Sequence, residues 1–186
     1  SDMEMPYVTI ITVVFNGKSE LEDTILSVIN QTYKNIEYVI IDGGSTDGTL
    51  DILKKYSDKI SYWKSEPDKG IYDAMNKGIR VATGKWINFM NCGDKFVSDR
   101  VVENVFLNKR YEGIDIIFGD SIEVFNGIES LKICSSNTNL LYKYPTYRHG
   151  ASFVRAELHK ENLFDLTRKD LGFALDFHLI HKFKII

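Results

Sequence analysis

Apolar residues along this chain fall into short continuous runs that alternate with stretches of helical spacing. Val8–Phe15 is almost wholly apolar and rich in β-branched residues, the pattern of a strand covered on both faces of a parallel sheet. Leu21, Ile25, Val28 and Ile29 then recur on one helical face, behind a Ser19/Glu22 pair with capping-box spacing. The alternation continues with a strand at Ile36–Ile41, a helix from about Asp47 to Tyr56, and a shorter strand at Ile60–Lys64. A helix over Ile71–Ala82 and a strand at Trp86–Met90 come next. Beyond them the pattern predicts a helix near Asp99–Lys109 and a strand at Ile114–Phe118. Ser121–Phe125 and Ser130–Cys134 flank Asn126-Gly127, a dipeptide suited to a two-residue hairpin turn. Ala151–Val154 reads as a further strand, and Phe173–Phe183 as a last helix close to the chain end.

Repeated strand–helix–strand units predict an α/β fold, with a right-handed, mostly parallel sheet flanked by helices on both faces. In such sheets ligands bind beyond the carboxyl ends of the strands. The loops after Phe15, Ile41, Lys64 and Met90 are therefore where chemistry is expected. At 186 residues the chain is sized for one domain, here residues 6–186, with Ser1–Met5 read as a leader remnant. Ile186 falls close to the predicted last helix, so truncation and a minimal variant both stay open.

Composition narrows the class of ligand. A net charge of -3 without a long basic run excludes a general nucleic-acid binder. It leaves room for a phosphate ligand, because a divalent cation supplies the charge that Lys and Arg otherwise would. Cys92 and Cys134 are far apart and have no CxxC companions, which argues against a disulfide framework or zinc site and fits a reducing compartment. Val8–Phe15 is too short to span a bilayer.

Each loop carries distinct chemistry. Asn16-Gly17-Lys18-Ser19 imitates a P-loop, but Thr12 stands where that motif needs its first glycine. Asp42 sits at a strand end, where a carboxylate can accept hydrogen bonds from a base N–H or a ribose hydroxyl, and Gly43 and Gly44 let a flat ligand approach the backbone. Asp47 reads as the cap of the following helix. Glu66 to Gly78 crowds polar residues at a helix start, and Asp73 and Asn76 share a helix face. Asp94, just past a buried strand, supplies one hard oxygen ligand; a single carboxylate suffices when phosphates and waters complete the shell.

These loops, in this order, resemble family 2 glycosyltransferases of a bacterial polysaccharide-synthesis type. The match is carried by Val39–Thr49, Glu66–Gly78 and Gly84–Asp94. It is strong from about Pro6 to Asp94 and looser beyond. The resemblance implies the GT-A fold, a Rossmann-like nucleotide-diphospho-sugar transferase architecture with a small hairpin. It implies that Thr12, Val14 and Asn16 line the nucleotide pocket, that Asp42 binds the base, that Asp68 and Lys69 contact base or ribose, and that Asn91 also belongs to the nucleotide-binding set. Asp94 matches the last acid of the family's Asp-x-Asp metal motif, which implies Mg2+ or Mn2+. Asn91 replaces the motif's first acid and Gly93 its next-to-last position, which puts metal dependence in doubt. Asp176 looks like the catalytic base, and His149 resembles an acceptor-side or phosphate-side residue; a structural histidine is the open alternative. The resemblance further implies a nucleotide-sugar donor, carrying uridine by analogy alone, and a saccharide or lipid-linked saccharide acceptor. It points to a cytoplasmic enzyme with room for peripheral contact at the inner face of the membrane. A sugar-phosphate nucleotidyltransferase and a weakened nucleotide-sugar-binding domain stand as alternatives.

Overall fold

The computed structural model describes residues 5–119, 121–125, 128–132 and 149–167. Strands and helices alternate as β1 (Val8–Val14), α1 (Leu21–Ile29), β2 (Ile36–Asp42), α2 (Thr49–Lys55), β3 (Tyr62–Ser65), α3 (Ile71–Val81) and β4 (Trp86–Phe89). The order continues with α4 (Val101–Phe106), β5 (Ile116–Phe118), β6 (Ser121–Phe125), β7 (Ile128–Lys132), β8 (Ser152–Arg155) and α5 (Ala156–Glu161).

The main sheet runs β3-β2-β1-β4-β8-β5. β1, β2, β3 and β4 pair in parallel, while β8 runs antiparallel between β4 and β5. β6 and β7 form a separate hairpin in which Phe125 pairs with Ile128. That register starts the second hairpin strand two residues earlier than the apolar pattern suggests.

Alternation along β1 builds two cores at once. Ile11 and Val13 join Val39, Ile41, Met75 and Ile79 on one face of the sheet. Val8, Ile10 and Val14 join Leu21, Ile25, Leu53 and Phe106 on the other. A strand with helices on both sides favours apolar residues throughout, hence the near-continuous run in the sequence; its two buried threonines, Thr9 and Thr12, have hydrogen-bonded hydroxyls. Helix α3 rides close to this floor: a Cβ placed on Gly78 would lie 2.6 Å from Ile11 Cγ2.

The expected capping box at Ser19 and Glu22 does not form. Helix α1 begins at Leu21 behind Glu20, with no side-chain cap. Glu22 instead accepts hydrogen bonds from Lys55 Nζ at 2.6 Å and from the Tyr56 hydroxyl. A cationic partner on α2 outcompetes a backbone amide for that carboxylate.

Candidate active site

Because β2, β1 and β4 are adjacent and parallel, the segments leaving their carboxyl ends meet at one edge of the sheet. Hydrogen bonds splice these segments together. The Asn16 N–H donates to Ser45 Oγ at 2.7 Å, and Asn16 Oδ1 accepts from the Thr46 N–H at 2.8 Å. Asn16 reaches this position in the left-handed region, at φ 49. The Gly17 N–H donates to Thr49 Oγ1 and the Lys18 N–H to Asp47 Oδ2. With those amides committed, the Gly-Lys-Ser stretch offers no phosphate cradle of the P-loop kind.

Asp42 anchors the second loop. Its Oδ2 accepts from the Gly44 N–H (3.0 Å), the Ser45 N–H (2.9 Å) and Ser65 Oγ (2.7 Å), and its Oδ1 from Ser45 Oγ. Asp42 is wholly buried. In this conformation the carboxylate shapes the loop, since burying a charge demands this many donors. The sequence pattern makes Asp47 the cap of the following helix, but the N-cap of α2 is Gly48 in the left-handed region, without a side-chain cap; Asp47 stands one residue earlier and accepts from the Thr49 N–H at 3.0 Å and Thr49 Oγ1 at 2.6 Å. The Thr49 hydroxyl chiefly holds its carboxyl below the usual range.

Thr12 is wholly buried, bonded to Met90 O at 2.6 Å and the Tyr38 hydroxyl at 2.8 Å, and Val14 packs with α1. Both lie beneath the edge rather than lining it, because β1 is covered on both faces. Phe15, which the sequence reading passed over, is 65% exposed at the strand's end. An exposed large aromatic after an apolar strand was the available signal.

Asp68 and Lys69 stand at the lip opposite. A Cβ on Gly43 would come 2.6 Å from Asp68 Oδ2, so only glycine admits this approach. Asp68 Oδ1 accepts from the Gly70 N–H at 2.9 Å, and Asp73 Oδ2 from the Lys69 N–H at 2.9 Å. The Lys69 side chain is exposed. Asn76 does not face this lip with Asp73. It is buried and pairs with Phe164.

The third segment, Asn91–Asp94, arrives on the far side of β1. The Cys92 N–H donates to Val13 O at 3.1 Å, and Thr24 Oγ1 donates to Asp94 O at 2.7 Å. Burial first, then the neighbouring carboxylates of Glu20, Asp47 and Asp94, push the Cys92 thiol up to about 11. The first and fourth strand-end segments meet here: a Cβ on Gly17 would lie 2.6 Å from Cys92 Sγ, and one on Gly93 2.9 Å from Glu20 Oε2. The His149–Ala151 turn comes to the same place: a Cβ on Gly150 would lie 3.8 Å from Asp94 Oδ2.

A model of the family described as Glycosyl transferase family 2 matches residues 9–173. The chain belongs to glycosyltransferase family 2. Among curated relatives, an uncharacterized glycosyltransferase of Mycobacterium tuberculosis is 34% identical over 176 residues, 92% of this chain and 66% of the relative. A PGL/p-HBAD biosynthesis glycosyltransferase of Mycobacterium bovis is 33% identical over 124 residues, 64% of this chain and 48% of the relative. The chain thus spans two thirds or less of the length of these relatives. Among solved structures, the mannosyltransferase PcManGT from Pyrobaculum calidifontis, in complex with GDP-Man and Mn2+, superposes with a TM-score of 0.71 at 19% identity, covering 96% of this chain and 52% of that one. S. aureus TarS 1-349 in complex with UDP also gives 0.71 at 19% identity, covering 94% and 54%. The fold is GT-A.

Family 2 membership raises the question of a metal, and the donor set answers in part. Among the described residues no group of three or more His, Cys, Asp or Glu side chains gathers to hold one. Asn91 Oδ1 is nevertheless buried without a hydrogen-bond partner, three residues from the exposed Asp94. An orphaned amide oxygen beside a carboxylate suits a hard cation such as Mg2+ or Mn2+, with further oxygens left to a ligand. Asp176 lies outside the described residues, as does the predicted last helix. Among the described residues no helix is long and apolar enough to cross a membrane.

Proposed function

We propose that the chain is an inverting glycosyltransferase that moves a sugar from a nucleoside-diphosphate sugar, a UDP-sugar, to an acceptor hydroxyl in polysaccharide or glycolipid synthesis. The observation that carries this reading is the convergence of the segments after β1, β2, β3 and β4 at one sheet edge, with Asp68, Asp94 and Phe15 around it. The exposed Phe15 ring offers a stacking face for a base, Asn16 and the Gly43-Gly44 backbone form its seat, and Asp68 with Lys69 closes over the ribose. Asp42 supports this seat from beneath. Thr12 and Val14 form its floor.

Asp94 and Asn91 would hold Mg2+ or Mn2+, which as a Lewis acid offsets the charge growing on the departing diphosphate. The acceptor oxygen bonds to the anomeric carbon from the face opposite the diphosphate, and the carbon–oxygen bond to the diphosphate breaks. Asp176 takes the acceptor's proton as general base. His149, in the turn whose Gly150 approaches Asp94, is assigned to the donor-phosphate or acceptor side. The acceptor is a saccharide or lipid-linked saccharide, in keeping with a relative named for PGL/p-HBAD biosynthesis. Work at the inner face of a membrane follows from such an acceptor.

The test is thermal unfolding against a panel of nucleotide-sugars with and without Mn2+ or Mg2+. A true donor raises the melting temperature by roughly 2–6 °C, and only with the cation. A panel in which nothing shifts the transition removes the donor reading. Replacement of the motif's first acid by Asn91 favours one second reading, a nucleotide-sugar-binding domain with weakened catalysis. It predicts a thermal shift without transfer.

A further inference from the structure

The donor-side half of the sheet, β1 to β4, is bound to the later chain by two buried asparagine side chains that the chemistry above does not use. Asn88 on β4 is wholly buried, and its Nδ2 donates to Gly150 O at 3.0 Å and to Ser152 O at 2.9 Å. Asn76 on α3 is 2% exposed and forms a reciprocal pair: its Nδ2 donates to Phe164 O at 2.9 Å, and its Oδ1 accepts from the Phe164 N–H at 2.8 Å. The Asn76 amide imitates a backbone unit toward Phe164, and the Asn88 amide adds two side-chain bonds just past the Trp86–Arg155 and Ile87–Val154 pairs that join β4 to β8.

What these amides hold matters more than their number. Asn88 fixes the turn whose Gly150 lies against Asp94. Asn76 fixes the segment from which the chain leads on to Asp176, twelve residues further along. Around Phe164 the packing is aromatic, with Tyr72 at 5.1 Å and Phe89 at 6.2 Å between ring centroids, so apolar contact alone would hold it in the core. Ring contacts tolerate sliding, whereas a two-bond amide pair sets one register.

We propose that Asn76 and Asn88 are positioning residues that lock the acceptor-side segments in register with the donor site. The proposal rests on the transferase reading above. A misplacement of about 1 Å between reacting groups can cost about 100-fold in rate, which is the scale at which such a lock acts.

The experiment compares Asn76→Ala, Asn88→Ala and Phe164→Leu with the parent chain. Phe164→Leu removes ring contacts and keeps both backbone partners of Asn76, so it lowers stability without separating kcat from KM. For the two asparagine variants the nucleotide-dependent melting shift stays, donor KM changes less than about 2-fold, and kcat falls about 10–100-fold. The share of donor lost to water rises relative to transfer. Hydrogen exchange gives a readout independent of turnover: exchange quickens at 149–152 in Asn88→Ala and at 163–167 in Asn76→Ala, with 42–49 unchanged. If Asn88→Ala fails to fold, Asn76→Ala decides. Folded variants with parental kcat overturn the proposal, as does a joint loss of donor binding and rate. A parent chain that neither transfers nor hydrolyses any nucleotide-sugar ends the transferase reading instead, and unchanged local exchange in the variants then ends the lock as well.

Discussion

The two edges of one sheet contrast in what holds them and what they leave open. At the amino edge, Glu37 Oε1 accepts from Thr9 Oγ1 at 2.7 Å and the Thr83 N–H at 2.8 Å, and Oε2 accepts from Thr83 Oγ1 at 2.6 Å. Lys160 Nζ donates to Ala82 O at 2.7 Å. A hollow of about 440 Å3 lies there, lined in part by Tyr7, Thr83, Lys85, Arg155 and Lys160. At the carboxyl edge the same kind of side-chain bond joins loops, but it leaves Phe15, Lys69 and Asp94 exposed. Convergent chemistry selects the second, and the polar groups of the first are spent on closing it.

The largest effect that would break this contrast is at the proposed base. Asp176→Asn is expected to lower kcat by roughly 100- to 10,000-fold while leaving nucleotide-dependent thermal shifts intact. Full activity in that variant would move the base elsewhere. Next, Asp94→Ala is expected to abolish the cation dependence of donor binding, seen by calorimetry, and to lower kcat by about 100-fold or more. Asp42→Ala leaves the Gly44 and Ser45 amides and the Ser65 hydroxyl without their acceptor, costing about 2–4 kcal/mol in denaturant unfolding and weakening donor binding. Glu37→Ala sharpens the comparison: it lowers stability by about 1–2 kcal/mol yet leaves donor affinity alone.

The smallest effect is a titration. With its thiol pushed up to about 11, Cys92 is protonated at neutral pH, and alkylation followed by mass spectrometry accelerates only as pH approaches that value. The folded-state value lies above the ordinary 9.0, so the unfolded chain loses this proton first and stability declines as pH rises through that interval.

Much of this was legible in the chain. Runs rich in β-branched and apolar residues at Val8–Phe15 and Ile36–Ile41 set the central strands, because burial on both faces leaves few polar positions. Loop order then placed Asp42 and Asp94 at a common edge. What escaped were choices between partners. Whether Asp42 turns to a ligand or to its own loop depends on Ser65, on a different strand. Glu22 lost its capping role to Lys55, 33 residues away. Asn76 reads as a surface helix residue until Phe164 returns to it across 88 residues. The antiparallel setting of β8 likewise follows from long-range pairing, not from the composition of Ser152–Arg155.

The narrow clearance between Gly78 and Ile11 has a consequence for how this enzyme type tolerates change. One added methyl at Gly78 would prise α3 off its floor and tilt the far end of the helix, where Asp73 steadies the Lys69 turn. The overpacking penalty is about 1–3 kcal/mol. The larger toll would fall on donor grip, so sequence drift at a position with no ligand contact would surface as a change in substrate preference.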